Sequence, residues 1–282
     1  MARSDWNRPD TFSPPEEGKR RIRLFLSYDG SLYHGWQSQD DSISVQQVLE
    51  EILSAIVKED ITIFGSGRTD AGVHALRQCC HFDTSSRIPG ETFRVILNSK
   101  LDKSIRILSS DEVGGDFHAR FSTESREYWY LVKEESEFLP YDKAHITQVR
   151  KLPSVDQLNT YARHIFGTHD FTVFASARDQ SVSKYRDVYV SEWDEITDTF
   201  GCRVLRYRVA GNAFMYHQVR SMVGTMLSFA AKNLSEDEFV ALIESRDRKL
   251  VHKTAPSDGL YLAEISYDRD KYQWFEDEYA GK

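Results

Sequence analysis

The residues best suited to chemistry lie between Gly65 and Ala75, where the chain reads Gly-Ser-Gly-Arg-Thr-Asp-Ala-Gly-Val-His-Ala. One carboxylate, Asp70, stands among Gly65, Gly67 and Gly72, with the guanidinium of Arg68 two residues before it. Glycine permits positive φ and a close approach of another group to the backbone. The preceding Ile61-Thr62-Ile63-Phe64 is β-branched and aromatic, which predicts a short strand. A strand that ends in a glycine-flanked Arg-Thr-Asp displays an acid and a cation to a partner that comes close. A plain tight turn accounts for Thr-Asp-Ala-Gly equally well on spacing alone. A phosphate loop does not fit: Asp70 occupies the place of the third glycine of a dinucleotide fingerprint, and no Gly-Lys-Ser/Thr follows.

The complete string decides between these readings. Arg68-Thr69-Asp70-Ala71-Gly72-Val73-His74 resembles the signature of the TruA family, tRNA pseudouridine synthases that act in the anticodon arm. Tyr28-Asp29-Gly30, Gly35-Trp36-Gln37 and Ser44-Val45-Gln46 resemble its amino-terminal pattern. Asp116-Phe117-His118-Ala119-Arg120-Phe121-Ser122, with Tyr128 and Tyr130 following, resembles its central motif. Asn212-Ala213-Phe214, His217, Val219-Arg220 and Val223-Gly224-Thr225 resemble the third, and Thr254-Ala255-Pro256 with Gly259-Leu260 and Leu262 the last. The blocks run in family order through most of the chain.

The resemblance implies a pseudouridine synthase fold: two similar α+β halves joined into one extended mixed or antiparallel sheet, with helices on one face and a catalytic cleft on the other. It also implies a homodimer, the tRNA anticodon arm as partner, and uridines 38, 39 and 40 as targets. Asp70 takes the role of nucleophile and Arg220 that of its ion-pair partner. Tyr128 stacks on the target uracil, and Arg68 serves base flipping or contacts the displaced phosphate. The isomerisation involves no redox change and no group donor, so no cofactor is expected, and no metal. Asp70 could attack C1′ or C6, or deprotonate the sugar. Other readings are a synthase of the same fold acting at another RNA position, a catalytically silent tRNA-binding module, and an N-glycoside hydrolase; the last lacks a second carboxylate to activate water. Two departures from the family pattern stand out. Leu101-Asp102-Lys103-Ser104-Ile105 replaces the usual Leu-Pro-x-Asp-Ile, and Ser221 stands where Asn is common after the arginine.

Composition sets the frame in which these residues must be held. The 282 residues are 40% hydrophobic and 12% aromatic, enough for a substantial core in one large or two modest domains. No apolar run approaches a membrane span and the first residues lack an apolar signal core, so a soluble, cytoplasmic protein is expected. Cys79, Cys80 and Cys202 show neither disulfide nor zinc spacing and read as core residues. The net charge of −8 argues superficially against a polyanionic partner. Binding depends on where the cations lie, however. Arginines and lysines cluster at Lys19–Arg23, at Arg203, Arg206 and Arg208, and at Arg246–Lys249, which suggests a basic groove on an acidic body.

The elements that position the motifs follow from hydrophobic period. Residues 1–20 read as a mobile tail, 21–110 as an amino-terminal α+β half carrying the Asp70 loop, 111–270 as a second α+β half, and 271–282 as an acidic tail. Ile22, Leu24 and Leu26 alternate as a strand requires. Val45, Val48, Leu49, Ile52 and Ile56 share a helical face behind a Ser44–Gln47 capping pair. Strands are predicted at Ile61–Phe64, Gln78–Phe82 and Ser104–Leu108, with a short helix around Phe93–Leu97. In the second half, Tyr128, Tyr130 and Val132 alternate in a strand, and Ser154 with Gln157 caps a helix. Strands follow at Val188–Trp193 and Val204–Val209, and then a long apolar helix runs from Val219 to Ala230. Two strand–helix–strand units of similar size suggest an internal duplication.

Overall fold

A computed structural model of the chain describes residues 13–39, 42–251 and 253–275. Most of the expected amino-terminal and acidic carboxy-terminal tails lies outside the described residues. In chain order the main elements are β1 (Arg20–Tyr28), α1 (Val45–Val57), β2 (Phe64–Gly65), β3 (His74–Thr84), α2 (Thr92–Asn98), β4 (Ile105–Val113), β5 (Ser125–Glu134), β6 (Thr147–Val149), α3 (Val155–Ala162), β7 (Gly167–Asp170), β8 (Tyr185–Thr197), β9 (Arg203–Gly211), α4 (Gln218–Lys232), α5 (Glu236–Ser245) and β10 (Leu260–Ser266). The class is α+β, as expected. Two compact units result: the described residues of Arg8–Glu124 with Tyr261–Tyr267, and those of Ser125–Leu260 with Asp268–Lys282.

In the first unit β1 lies between β4 and β3, antiparallel to both. β10 runs parallel to β3 at its start, pairing Tyr261 with His74 and Leu262 with Ala75. β2 pairs antiparallel with β3 further along, Phe64 opposite His81 and Gly65 opposite Cys80. Ile22, Leu24, Leu26, Cys79, Cys80 and Phe82 are all fully buried, and Phe82 meets Phe93 of α2 edge-on at 5.3 Å. The Ser44 hydroxyl accepts from the Gln47 N–H at 3.1 Å, the expected cap. The buried stripe of α1 is Val45, Leu49 and Leu53, while Val48, Ile52 and Ile56 are half-buried at its edges.

The strand predicted over Ile61–Phe64 shrinks to Phe64–Gly65. Ile61 and Ile63 are buried, but their N–H groups donate to the Ser54 hydroxyl at 3.0 Å and the Glu50 carboxylate at 2.8 Å. Side chains of α1 thus satisfy the backbone that a neighbouring strand would otherwise pair.

In the second unit β5, β9, β8 and β7 are successive antiparallel neighbours, with β6 parallel to β5. Val219, Met222, Val223, Met226 and Phe229 of α4 are buried. Phe229, Tyr161 of α3 and Phe239 of α5 form an aromatic cluster with ring centres 5.1–5.8 Å apart. Helix α5 is absent from the sequence expectations. Glu236, Asp237 and Glu238 form its first turn, and Ser235 with Glu238 closes a capping box. Of the three cysteines, Cys79 and Cys80 are buried as expected, whereas Cys202 is half-buried.

The arginines of the first two basic clusters are engaged in ion pairs. Arg20, Arg21 and Arg23 pair with Glu112, Asp83 and Asp111. Arg203 and Arg206 pair with Glu195 and Asp194, and Arg208 reaches both Glu127 and Glu192. In each case the acid comes from a neighbouring strand, and β-register brings together charges remote in sequence.

The end of β5 is tied down by a buried cation. Lys133 is fully buried, and its Nζ lies 2.7 Å from both Asp142 and Asp198. Asp142 also accepts from the Leu139 N–H, and Asp198 from the N–H groups of Phe200 and Cys202. Removing the cation strands the buried Asp142 and the half-buried Asp198, which costs about 3–5 kcal/mol. Lys133→Met is therefore expected to lower unfolding stability by about that amount in a denaturant titration. Adding Asp142→Asn and Asp198→Asn should recover part of the loss.

Candidate active site

In the first unit the Arg68–Asp70 segment joins β2 to β3 and is held by its neighbours on every side. Before it, the Ser66 N–H donates to the Cys79 carbonyl at 2.8 Å, and the Ser66 and Thr123 hydroxyls share a 2.7 Å bond. The Gln78 side chain donates to the Gly67 carbonyl at 2.9 Å. Thr69 is buried, its hydroxyl bonded to that of Tyr28 at 2.8 Å, and its carbonyl accepts from the Trp36 N–H at 3.1 Å. Asp70 begins a turn closed by Val73 N–H to Asp70 carbonyl at 3.1 Å, with Gly72 at φ +79° in the position that requires positive φ. Arg68 is exposed and Asp70 half-buried.

This segment lies directly against the Asp29–Trp36 turn. A Cβ on Gly30 would overlap the Val73 carbonyl, and one on Gly35, whose φ is +92°, would lie 2.6 Å from the Thr69 oxygen. The Gly30 N–H donates to Nδ1 of buried His74 at 3.1 Å, and the His74 ring stacks on Tyr261 at 4.6 Å. The divergent Leu101–Ile105 run supports the same turn. The Ser104 carbonyl accepts from the Asp29 N–H at 2.8 Å, and the Ser104 and Tyr33 hydroxyls are 2.6 Å apart.

Beside the loop, the Asp116–Ser122 motif supplies side chains to which sequence reasoning gave no individual role. Burial, then the neighbouring His118 and Arg21, lowers the His81 pKa to about 3. Burial, then Arg21 and Arg120, lowers that of His118 to about 4. Both rings are neutral at neutral pH. Arg120 is an exposed residue whose pKa is lowered by partial burial and then by the Arg68 charge.

The second unit carries the other two expected residues. Tyr128 lies on β5 opposite Val209 of β9, nearly buried, with the Phe214 ring edge-on at 5.3 Å. Tyr130 is fully buried, and its hydroxyl bonds Thr147 at 2.6 Å and the Pro256 carbonyl at 2.9 Å, so it belongs to the scaffold. Arg220 lies in the first turn of α4, half-buried. Its Nε donates to the Ala255 carbonyl at 2.8 Å, and the Ala255 N–H returns a bond to the Arg220 carbonyl at 3.0 Å. The Thr254-Ala255-Pro256 motif thus fixes the guanidinium stem. Ser221, the second departure, is fully buried, where its neighbour is the Arg248 guanidinium at 3.4 Å.

The approach to α4 is braced as well. Asn212 exchanges hydrogen bonds with both backbone and side chain of Asp187, and its carbonyl accepts from Arg126 at 2.7 Å. Asp179 accepts from Lys184, from the Ser181 N–H at 3.0 Å and from the Tyr216 N–H at 2.9 Å. The structure thus places Arg68 and Asp70 on one loop of the first unit, and Tyr128 and Arg220 in the second.

Residues 25–122 and 161–268 match the model of the tRNA pseudouridine synthase family. The chain is 39% identical over 250 residues to the tRNA pseudouridine synthase A of Bacillus pumilus, covering 88% of this chain and 99% of that protein. It is 36% identical over 250 residues to the protein of the same name from Bacillus subtilis, covering 88% and 99%. Against that of Borrelia duttonii the identity is 34% over 249 residues, covering 88% and 100%. The α+β architecture is therefore that of an RNA-modifying isomerase. The chain belongs to the tRNA pseudouridine synthase family.

The Asp179 brace carries a pH signature. Burial raises its pKa, but the Lys184 ammonium and the Tyr216 and Ser181 N–H groups outweigh that and bring it from 3.8 to about 2. Because the folded value is depressed, its contribution is complete above about pH 4 and disappears as pH falls toward 2. Urea midpoints of wild type and Asp179→Asn should differ at pH 5 and converge near pH 2; a constant gap would show that Asp179 ionisation does not support the fold.

Proposed function

We propose that this protein isomerises uridine to pseudouridine at positions 38, 39 and 40 of the tRNA anticodon stem-loop, acting as a cytoplasmic homodimer, with Asp70 as the reacting carboxylate. The observation that carries the reading is the half-buried Asp70 on a turn whose backbone is fixed from both sides, two residues after an exposed arginine. The resemblance of the surrounding motifs, and the relatives named tRNA pseudouridine synthase A, support the same reaction.

The chemistry conserves every atom of the nucleoside framework. The N1–C1′ bond breaks, the uracil turns in place, C5 bonds to C1′, the C5 proton leaves and N1 gains one. Asp70 serves as nucleophile, at C1′ or at C6. A carboxylate forming a covalent bond at an anomeric carbon has ample chemical precedent. It must be ionised in a site dry enough to hold a base, and an opposite charge within several ångströms favours ionisation by about 1–3 pKa units. Arg220 fills that role. Its Nε bond to Ala255 keeps the stem from swinging, so little ordering is required when substrate arrives.

Tyr128 presents its ring to the uracil, an arrangement that tolerates rotation of the base because every base has a π-face. The edge-on Phe214 ring limits the tilt of Tyr128. Arg68, exposed on the loop that carries Asp70, contacts the phosphate or the vacated space of the extruded nucleotide. Phosphate contacts of this kind position the arm without reading sequence, which suits three adjacent targets.

Unmodified tRNA carrying tritium at uracil C5 separates the possible activities. Isomerisation releases tritium and leaves the RNA intact, hydrolysis leaves an abasic site, and a pure binder does neither. The wild-type protein is expected to release tritium from positions 38, 39 and 40. Tyr128→Phe should bind tRNA normally and convert it roughly 2- to 10-fold more slowly, the effect of one lost hydrogen bond. An abasic product, or no product, would overturn the proposal, and an unchanged Tyr128→Phe rate would reduce that hydroxyl to packing.

A further inference from the structure

The third basic cluster, Arg246–Lys249, is engaged differently from the other two. Arg246 faces Asp170 at 3.3 Å, but the Arg248 guanidinium meets no carboxylate among the described residues. Arg248 is half-buried, and burial disfavours its charge. One nitrogen alone is bonded: Nη2 donates to the Ser221 hydroxyl at 3.4 Å and to the Thr254 hydroxyl at 3.2 Å, and both oxygens are neutral. Nε and Nη1 have no partner among the described residues, yet neither is sealed from water. The guanidinium is thus fixed by one corner with its other donors accessible. The neighbouring Asp247 does not compensate it, since its carboxylate accepts from the Lys249 N–H at 2.9 Å.

Ser221 sets Arg248 against the start of α4. The first turn of that helix contains no acid, and His217 at its N-cap, with φ +62°, makes no side-chain cap. Two usual compensations for the positive end of a helix are therefore missing. Gln218, the first residue of α4, lies on the same face one turn before Ser221. It is fully buried; its Oε1 accepts from the Met215 N–H at 2.8 Å, but its Nε2 has no partner among the described residues. A buried amide donor without an acceptor is uncommon. This end of α4 has donors and positive charge in excess of acceptors.

We infer that Arg248 and the first turn of α4 form an anion seat that takes one phosphate of the RNA backbone. The inference rests on the proposed function for RNA as the ligand, and goes beyond it in assigning a binding residue outside the four already given roles. A phosphodiester suits the seat: it is ionised at every physiological pH and offers two acceptor oxygens to the planar fork. Helix amino-termini hold phosphates for the same electrostatic reason. A backbone phosphate is favoured over a free anion by what adjoins the seat. Ser221 follows Arg220, and Thr254 precedes the Ala255 whose carbonyl fixes the Arg220 stem, so the seat shares its two anchors with the residue that faces the reaction.

The test uses the full chain, an unmodified tRNA transcript and inorganic phosphate. Arg248→Gln is expected to weaken tRNA binding roughly 10- to 100-fold at low salt, the loss of one charge-assisted contact. It should also reduce the slope of log affinity against log salt by about 0.7–0.9, one phosphate. A residue that only props Ser221 would not move that slope. Arg248→Lys keeps the charge without the fork, and should restore the slope with part of the affinity. Thr254→Asp puts a carboxylate beside an intact Arg248; it should mimic Arg248→Gln and replaces it if that variant melts early. Arg106→Gln removes an exposed arginine of β4 and should leave the slope unchanged. A wild-type slope in the folded Arg248→Gln or Thr254→Asp variant, or an equal drop in Arg106→Gln, would overturn the seat. If inorganic phosphate stabilises the wild type but not Arg248→Gln while the two share one tRNA slope, the seat takes a free anion and the RNA assignment falls. Tritium release by the wild type is scored separately: tRNA binding with the expected slopes but no release would sink the isomerase reading alone.

Discussion

The approach of two backbones without side chains between them governs the organisation of the first unit. The Asp29–Trp36 turn lies on the Thr69–His74 segment so closely that a single added methyl at Gly30 or Gly35 would collide with a carbonyl. Backbone hydrogen bonds from Trp36 to Thr69 and from Gly72 to Tyr33 then stitch the two together. Loops usually carry function at the expense of precision, because few contacts hold them. Here the Asp70 loop is held almost as tightly as a strand. In the proposed mechanism, where Asp70 meets one carbon of a flipped nucleotide, this matters directly, since a misplacement of about 1 Å can cost a hundredfold in rate.

The same economy appears in the electrostatics. An acidic chain that handles RNA cannot rely on a uniform positive surface. Most of the arginines on β1 and β9 are consumed in cross-strand ion pairs, and their cations serve register rather than binding. Arg68 stands apart from that ladder, exposed on the Asp70 loop. Local placement of a few cations, not the sum of charges, is therefore what the account requires of RNA recognition.

Much of this was legible in the sequence, and the exceptions have physical causes. The helix from Val219, the capping serines at positions 44 and 154 and the alternation at Ile22–Leu26 follow from local rules, and each element is present. Ile61–Phe64 misled because β-branched residues also suit a buried extended segment whose N–H groups are bonded by helix side chains. Helix α5 escaped notice because its first turn is three consecutive acids behind the Ser235 cap, with few apolar residues to mark a helical period. The arginine clusters misled because strand pairing is invisible to a one-dimensional count. The Arg68-Thr69-Asp70 string was readable at once, but the tie of Arg220 to Ala255 depends on residues 35 positions apart that no local rule connects.

The central claim is that the charge of Asp70, rather than the shape of its loop, performs the reaction. Asp70→Asn separates the two, since the amide preserves volume and leaves the Asp70–Val73 turn and both glycine contacts intact. Single-turnover tritium release from tRNA labelled at uracil C5 is the direct measurement. The account predicts wild-type tRNA affinity and unfolding midpoint with no detectable release. Release at the wild-type rate by that variant would contradict it.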